Sequence, residues 1–404
     1  MTTFSDPPKA SFRPSMLLSD TRYRSITFQV IALALLVTAI WYLGSNLAAN
    51  LRAAGLNISF QFLGNPAGYD INQTLIPYTS QSSNLQAAWV GIINTLLVSF
   101  LACVTATIFG VIAGVLRLSN NWLVRKLMAG YVEIFRNIPV LIWILIIYTI
   151  MTAAMPAPSA FRGDDPASTM MLGSFAFTNR GVYIPGPVWG PGSMIVVATF
   201  VASVIGVFAY RRYATKLLYD TGRLLPMLWP SVAILLLPTI IMFFIMGMPI
   251  GLDYPALKGF NFRGGIQIGA PLIALWFALS IYTGAFIAEN VRAGIQAVSK
   301  GQSEAAAALG LRSGRIMNLV VLPQALRVII PPLISNYLNI TKNSSLAILV
   351  GYADITATLG GITLNQTGRA IECVVLLMLF YLVISLGISM VMNVYNNATK
   401  LKER

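Results

Sequence analysis

The charged side chains that lie in or beside long apolar runs are the first candidates for chemistry in this sequence. Glu289 and Lys342 are two of them, and Arg292 follows Glu289 one helical turn later. A charge in hydrocarbon is costly and therefore marks a functional hypothesis, here contacts of both signs with a zwitterionic solute. In the alternative interpretation, Glu289 forms a local i, i+3 ion pair with Arg292.

Three asparagines near Lys342 add neutral hydrogen-bonding groups. Asn336, Asn339 and Asn343 recur at i, i+3 and i+7, so they share one face of a helix. Lys342 lies about 22 Å along the helix axis from Arg327 at 1.5 Å per residue. This face could line a path for a polar solute, or it could join helices by hydrogen bonds while Lys342 extends toward water. The sequence leaves both interpretations open.

Metal, redox and nucleophilic chemistry have little support in the sequence. There is no histidine, and Cys103 and Cys373 both lie inside apolar runs, so no metal-ligand cluster or disulfide framework is present. A Walker A phosphate loop ends in Gly-Lys-Ser/Thr, and the chain contains no Gly-Lys pair. Neither a paired-carboxylate site nor a nucleophile motif supports an integral membrane enzyme. We therefore predict no catalytic residue, no metal site and no cofactor in this chain.

Apolar helices must position these candidate residues. Of the 404 residues, 56% are hydrophobic and only 10% are charged, which excludes an ordinary soluble protein. Several runs are long enough to cross a hydrocarbon core of about 30 Å, so we predict an all-α, polytopic transmembrane bundle. The predicted spans are 25–45, 88–116, 132–153, 193–210, 227–248, 268–290, 328–350 and 371–394.

The distribution of Lys and Arg predicts the orientation of the bundle. Eight crossings place both termini on one side, and that side holds 20 of the 27 Lys and Arg residues. The positive-inside rule then predicts that both termini are cytoplasmic, with tails over 1–24 and 395–404. The net charge of +14 follows from this topology, so no nucleic-acid partner is expected. The first span is longer than a typical signal-peptide core, which favours a retained N-terminal anchor span followed by a periplasmic segment, together covering 25–87.

The loop after the sixth span has the most specific pattern. Ser303 is expected to cap a short alanine-rich helix, Glu304 suits its positive N-terminal end, and Gly310 suits the left-handed position after its last turn. A second helical turn over 315–321 follows, and Pro323 ends it or begins the next element. The pattern predicts a small helical knob whose alanines let another protein approach the backbone closely.

This loop resembles the signature of ABC-transporter permease subunits. Glu304, Ala305 and Ala306 stand at the family spacing from Gly310, and Val320 stands where the family usually has Ile. The resemblance implies that 301–323 contains a coupling helix that sits in a cleft of a separate cytoplasmic ATPase, which binds ATP and Mg. The residues that would carry this role are Gly301, Gln302, Glu304, Ala305, Ala306, Gly310, Leu322 and Pro323.

Flanking segments narrow the resemblance to permeases for polar amino acids of the histidine and glutamine type. These segments are 131–139, 289–295, 322–325 and 342–346. The similar regions, 88–153 and 268–394, imply the five-span core of a type I importer. The added anchor and an insertion over 154–267 with two extra spans make the chain similar to the elongated general L-amino-acid permeases of Gram-negative bacteria. No motif assigns a task to the insertion.

The resemblance also implies a location and partners. The chain would lie in the bacterial inner membrane beside a homologous second permease, with an ATPase dimer and a periplasmic amino-acid-binding protein, and it would pass L-amino acids. A stand-alone channel or an ion-coupled secondary transporter for small polar solutes is the alternative. That alternative is favoured by carboxylates deep within the spans, whereas Glu289 and Glu372 both lie toward span ends.

A Gly-x-x-x-Gly motif in the second span predicts close helix packing. Gly110 and Gly114 are one turn apart and remove side chains from one face of the helix. The motif is frequent in membrane helices, so it predicts packing and carries no information about the transported solute.

Overall fold

The computed structural model describes residues 21–53, 55, 57–163, 165–223 and 225–399 and forms two compact units, 1–61 and 62–404. The first unit contains one long helix, α1 (Thr21–Ala53), whose side chains are almost all exposed. The first predicted span is confirmed as an apolar helix that continues to Ala53. Most of the predicted N-terminal tail, and 400–404 of the C-terminal tail, lie outside the described residues.

The second unit is a helical bundle, as predicted. Within the described residues, seven helices of the chain are long and apolar enough to span a membrane, and a bent helix pair brings the number to eight. The helices of the second unit are α2 (Asn84–Leu116), α3 (Trp122–Asn137), α4 (Val140–Thr149), α5 (Ser193–Thr221), α6 (Leu228–Ile245), α7 (Ala270–Gln296), α8 (Lys300–Ala308), α9 (Ser313–Ile316), α10 (Leu322–Asn343), α11 (Leu364–Thr367) and α12 (Ala370–Thr399).

The bent pair is α3 and α4, and it corrects the continuous span predicted over 132–153. The chain turns by 103° between the two helices. Ile138 at the bend is extended, with φ −105° and ψ 130°. Pro139 follows it, and a residue before proline is pushed out of the helical region by the proline ring. The apolar segment that starts at Val140 is therefore a separate helix, which a π turn prolongs to Ala154.

The core of the bundle is the contact between α2 and α7. A Cβ at Gly110 would lie 2.5 Å from Cβ of Ile287, and one at Gly114 would lie 2.7 Å from the Ala288 carbonyl oxygen. The two helices therefore touch along the face that the glycines leave open, as the motif predicted. Polar contacts supplement this packing: Trp276 Nε1 on α7 donates a hydrogen bond of 3.1 Å to Thr105 Oγ1 on α2.

The two helices run in the same direction, which gives the bundle two distinct ends. We call the end at which α2 and α7 begin the insertion end, and the end at which they finish the loop end. The insertion contributes the helical hairpin α5–α6, whose helices correspond to the two predicted extra spans. It also contributes seven short strands near the insertion end, and these strands were not predicted. The strands are β1 (Ala176–Thr178), β2 (Gly181–Ile184), β3 (Gly186–Trp189), β4 (Ile250–Asp253), β5 (Ala256–Lys258), β6 (Asn261–Arg263) and β7 (Ile266–Gly269).

All strand pairs are antiparallel and form three small sheets, β1-β2-β7, β3-β4 and β5-β6. Tyr183 and Phe262 are buried between them, with ring centroids 5.2 Å apart. β2 precedes the hairpin α5–α6 in the sequence and β7 follows it, and the two strands pair. The segments before and after the hairpin therefore form one strand-rich region.

Candidate functional site

The loop predicted to contact a partner forms two short helices at the loop end. α8 begins at Lys300, after Ser299, so the prediction that Ser303 caps it is wrong: Ser303 lies inside the helix. An N-cap residue must have non-helical backbone angles, and Ser299 has them, with φ −63° and ψ 140°. The second turn, α9, passes through a π turn over Met317–Val321 into α10, where Pro323 stands in the first turn. The proline therefore begins the next element.

Gly310 closes α8 as predicted. Its φ is +78°, in the left-handed region. The Gly310 N–H donates to the Ala307 carbonyl at 2.9 Å, and the Leu311 N–H donates to the Ala306 carbonyl at 3.3 Å. This pair of bonds is a Schellman motif, which satisfies the last carbonyls of the helix and requires a residue that tolerates positive φ. The direction of the chain after α8 therefore depends on the glycine.

The surface of the loop is open to contact. Ala306 is the buried member, 5% exposed, and it holds α8 against the π turn. Leu309 is 82% exposed, an unusual environment for leucine on a helical surface. The other residues predicted for coupling that are exposed are Gly301, Gln302, Glu304, Ala305, Gly310 and Leu322, and Pro323 is half-buried. The small side chains of this surface leave the backbone of α8 accessible to another protein.

Glu289 is the centre of an ion cluster about two turns before the end of α7. Its Oε1 contacts Arg292 Nη2 at 2.5 Å, which confirms the predicted i, i+3 ion pair. Its Oε2 accepts hydrogen bonds from Arg292 Nε, at 3.2 Å, and from Arg117 Nη1 at the end of α2. Both carboxylate oxygens therefore already have arginine partners, and the cluster links α2 to α7.

The predicted polar face of α10 is present as a continuous helical face. Asn339 and Lys342 are exposed, while Asn336 and Asn343 are half-buried. The side of α10 next to this face packs on α2 and α7 through Ile329, Ile340 and Tyr337, whose hydroxyl lies 2.7 Å from Thr107 Oγ1 on α2. Within the described residues, Glu289 belongs to a different helix, α7, and the structure gives no contact between it and this face.

Two side chains of α10, one with an amide and one with a guanidinium group, have buried nitrogen atoms without a hydrogen-bond partner among the described residues. They are Nδ2 of Asn336 and both Nε and Nη2 of Arg327. Buried polar atoms in native proteins almost always have partners, so an orphaned one indicates a group outside the chain. α10 therefore presents donors that water, a solute or another subunit would satisfy.

The sequence did not reveal the role of Arg117. The one feature of the sequence that bears on this role is the position of Arg117. It follows the last residue of α2, and Glu289 lies near the C-terminal end of α7. Within the described residues, no group of three His, Cys, Asp or Glu side chains could hold a metal ion.

Comparison with known proteins identifies the family of the chain. Residues 194–400, just over half of the sequence, match the family described as the binding-protein-dependent transport system inner membrane component. The chain belongs to this family. It is a multi-pass membrane permease subunit of the ABC type, so the resemblance drawn from the loop is confirmed.

Curated relatives match over the full length. The chain is 50% identical to the glutamate/glutamine/aspartate/asparagine transport system permease protein BztB of Rhodobacter capsulatus, with all of both chains covered. It is 42% identical to the general L-amino acid transport system permease protein AapQ of Rhizobium johnstonii, covering 98% of this chain and 96% of that one. A solved amino acid ABC transporter with histidines is 19% identical with a TM-score of 0.45, covering 78% and 94%. The elongated form is thus shared with the full-length relatives.

Proposed function

We propose that the chain is one of two permease subunits of an ATP-driven importer for L-amino acids. Two full-length relatives bear names that state amino-acid transport, which supports this substrate class. In the proposed assembly, a homologous permease completes the path, an ATPase dimer binds the loop, and a periplasmic binding protein delivers the amino acid. The loop end faces the cytoplasm with both termini, and the insertion end faces the periplasm, as the excess of Lys and Arg predicts.

The observation that carries the proposal is the exposed, glycine-closed helix α8. α8 is connected to α7 at one end and, through α9, to α10 at the other. A movement of α8 can therefore displace both of these helices. The Schellman closure at Gly310 sets the angle between α8 and α9, and exposed Leu309 gives the partner an apolar contact. ATP-driven movement of the ATPase at this loop would then change the packing of the spans that follow it.

We propose that the translocation path runs along the polar face of α10. Asn339 and Lys342 are exposed on this face and Asn336 and Asn343 are half-buried beside them, so together they offer hydrogen bonds and one positive charge. A homologous permease facing the same side would enclose a polar path between the two chains. Glu289 has a positioning role in this proposal, at the cytoplasmic end of the path, because its carboxylate already binds two arginines.

The test compares two substitutions at one position. Membrane vesicles contain this chain, the second permease and the ATPase, with the binding protein and radiolabelled L-glutamine added outside. Gly310→Val is expected to abolish ATP-driven uptake with normal insertion, because a β-branched residue does not tolerate φ near +78°. Gly310→Asn is expected to retain most uptake, since asparagine adopts the left-handed region readily.

Uptake that is equal in both variants would overturn the coupling role of the loop. Uptake that proceeds without the ATPase would instead support a channel or an ion-coupled secondary transporter. Gly130→Val on α3, outside the loop, is the control and is expected to transport like wild type, because Gly130 lies within a helix and no atom lies within 4 Å of its Cβ position.

A further inference from the structure

A polar cavity of about 450 Å³ lies at the insertion end, where the insertion meets the bundle. Its wall is formed by the turn between β1 and β2, by β6 and β7, by the start of α7, by the end of α4 and by the segments that flank α2 and α10. Residues far apart in sequence, such as Gln73, Arg180 and Tyr352, face the same space. Both the insertion and the bundle core are therefore needed to form the cavity.

Buried polar side chains that do not themselves line the cavity form hydrogen bonds with residues of its wall. Asn94 on α2 is fully buried, and its Nδ2 donates hydrogen bonds to the carbonyls of Gln73, at 3.0 Å, and Ala353, at 2.9 Å. Tyr183, 1% exposed, donates a hydrogen bond of 2.8 Å to Asn261 Oδ1. Pre-positioned walls of this kind are typical of a binding site, because little ordering is left to occur on binding.

The lining is cationic and rich in amides. Arg180 is its one charged residue, and the lining contains no carboxylate. Arg180 Nη1 donates to the Phe260 carbonyl at 3.3 Å, and no described carboxylate forms an ion pair with this guanidinium. The first residues of α7, Ala270 and Pro271, also face the cavity, and the Ala270 N–H donates to the Arg180 carbonyl at 3.3 Å, which holds the backbone of the arginine against the start of the helix.

A hydrogen-bond acceptor completes this chemistry. Oδ1 of Asn179 is buried and has no partner among the described residues. It lies next to Arg180 in the same turn, so an anionic group at the guanidinium and an N–H donor at Asn179 can belong to one small molecule. A carboxylate and an ammonium group attached to the same carbon are the defining groups of an α-amino acid.

We propose that this cavity binds a free L-amino acid, with the carboxylate at Arg180 and the ammonium group at Asn179. The inference rests on the proposed function and assigns a task to the insertion: it holds the amino acid at the periplasmic entrance before the amino acid reaches the face of α10. The other amides, Asn72, Gln73, Asn261 and Gln267, then contact the side chain of the amino acid. A polar or acidic side chain suits them best.

The test measures binding of tritiated L-glutamate to the whole assembly in lipid nanodiscs, without ATP and without the binding protein. Wild type is expected to bind it saturably. Arg180→Ala should weaken binding by at least about tenfold, because charge-assisted hydrogen bonds to a carboxylate are lost. Gln267→Glu, which is nearly isosteric and adds a repelling carboxylate to the lining, should weaken binding in the same direction.

Arg162→Ala is the matched control. Arg162 also contacts the β5–β6 hairpin, at the Gly259 carbonyl and over the ring of Phe260, but it does not line the cavity. A general disturbance of the hairpin would affect both arginine variants equally, whereas the proposal expects the Arg162 variant to bind like wild type.

Absence of saturable binding, or equal affinity in wild type, Arg180→Ala and Gln267→Glu, would overturn the inference. So would a result in which free L-glutamate does not bind and Arg180→Ala raises the concentration of binding protein needed for half-maximal uptake, because the cavity would then receive a loop of that protein. ATP-dependent uptake, measured for the same variants reconstituted in sealed vesicles, separates the two proposals. Uptake that requires the ATPase keeps the importer function even where this site fails.

Discussion

Arg117, the residue that follows the last turn of α2, forms an ion pair with Glu289 on α7. The two side chains are 12% and 26% exposed, and Arg292 binds the other oxygen of the same carboxylate. Two parallel helices are therefore joined by charge at the loop end, immediately before the chain leaves for α8. Farther from that end, the same helices are joined by glycine packing at Gly110 and Gly114. The loop thus starts from a reinforced pair of helices.

Glu289→Gln is expected to lower stability without changing substrate affinity. The substitution leaves two neighbouring guanidinium groups without a carboxylate, which should cost about 1–3 kcal/mol at this partly buried site. Thermal unfolding of the detergent-solubilised chain measures the loss, and the KM for L-glutamine should stay within about twofold of wild type by the same structural argument. A KM that rises while the melting temperature stays unchanged would instead support contact between Glu289 and the substrate ammonium group.

Gly110→Ala is expected to destabilise the contact between α2 and α7. The new Cβ would lie 2.5 Å from Ile287 Cβ and 2.9 Å from the Gly284 carbonyl oxygen, so the backbones must separate. Overpacking of this kind costs about 1–3 kcal/mol. Gly130→Ala on α3 is the control, because no atom lies within 4 Å of its Cβ position. The melting temperatures of the two variants are compared. Equal values would show that a methyl group at position 110 does not destabilise the contact between α2 and α7.

Asp354 is expected to make stability depend on pH. The side chain is fully buried in the segment between α10 and α12, and burial raises its pKa from 3.8 to about 6, although the Ala357 N–H donates to Oδ1 at 2.8 Å. The pKa of Asp354 is higher in the folded state than in the unfolded state. The contribution of its protonated carboxyl group to stability is therefore fully present below about pH 4. It is lost as pH rises through about 6, by up to about 3 kcal/mol.

The measurement is the melting temperature between pH 4 and pH 8 for wild type and Asp354→Asn. Wild type should lose stability from about pH 4 to about pH 6 relative to the variant, whose amide does not ionise in this range. Parallel curves for the two proteins would mean that the carboxyl group does not titrate in this window.

Lys342→Met is expected to slow uptake with little effect on stability. Lys342 is exposed on the face of α10 that we propose lines the path, so the change removes a charge and leaves the packing between helices intact. ATP-driven uptake of L-glutamate, an anionic amino acid, should fall by about tenfold or more if the ammonium group contacts its carboxylate. Lys216→Met on α5, also exposed, should transport like wild type. Similar uptake in both variants would exclude Lys342 from the path.

Local patterns carried much of the prediction from sequence. Apolar runs predict spans because the length of a helix and the thickness of a hydrocarbon core are both known. Gly310 was predicted in the left-handed position because a helix end needs a residue without Cβ there, a requirement met within five residues of chain. The i, i+3 spacing predicted the pair of Glu289 and Arg292 for the same reason, since one helical turn brings the two side chains together.

Short stretches of the sequence predict the membrane class, the loop over 301–323 and its resemblance to ABC permeases, because each depends on neighbours within a few turns. The tertiary structure decided the bend at Pro139, the contact of Arg117 with Glu289, and the cavity that combines Gln73, Arg180 and Tyr352. Those features join residues that are tens to hundreds of positions apart, or depend on how one helix leaves another. Periodicity cannot encode such contacts, because they exist only after the spans have packed.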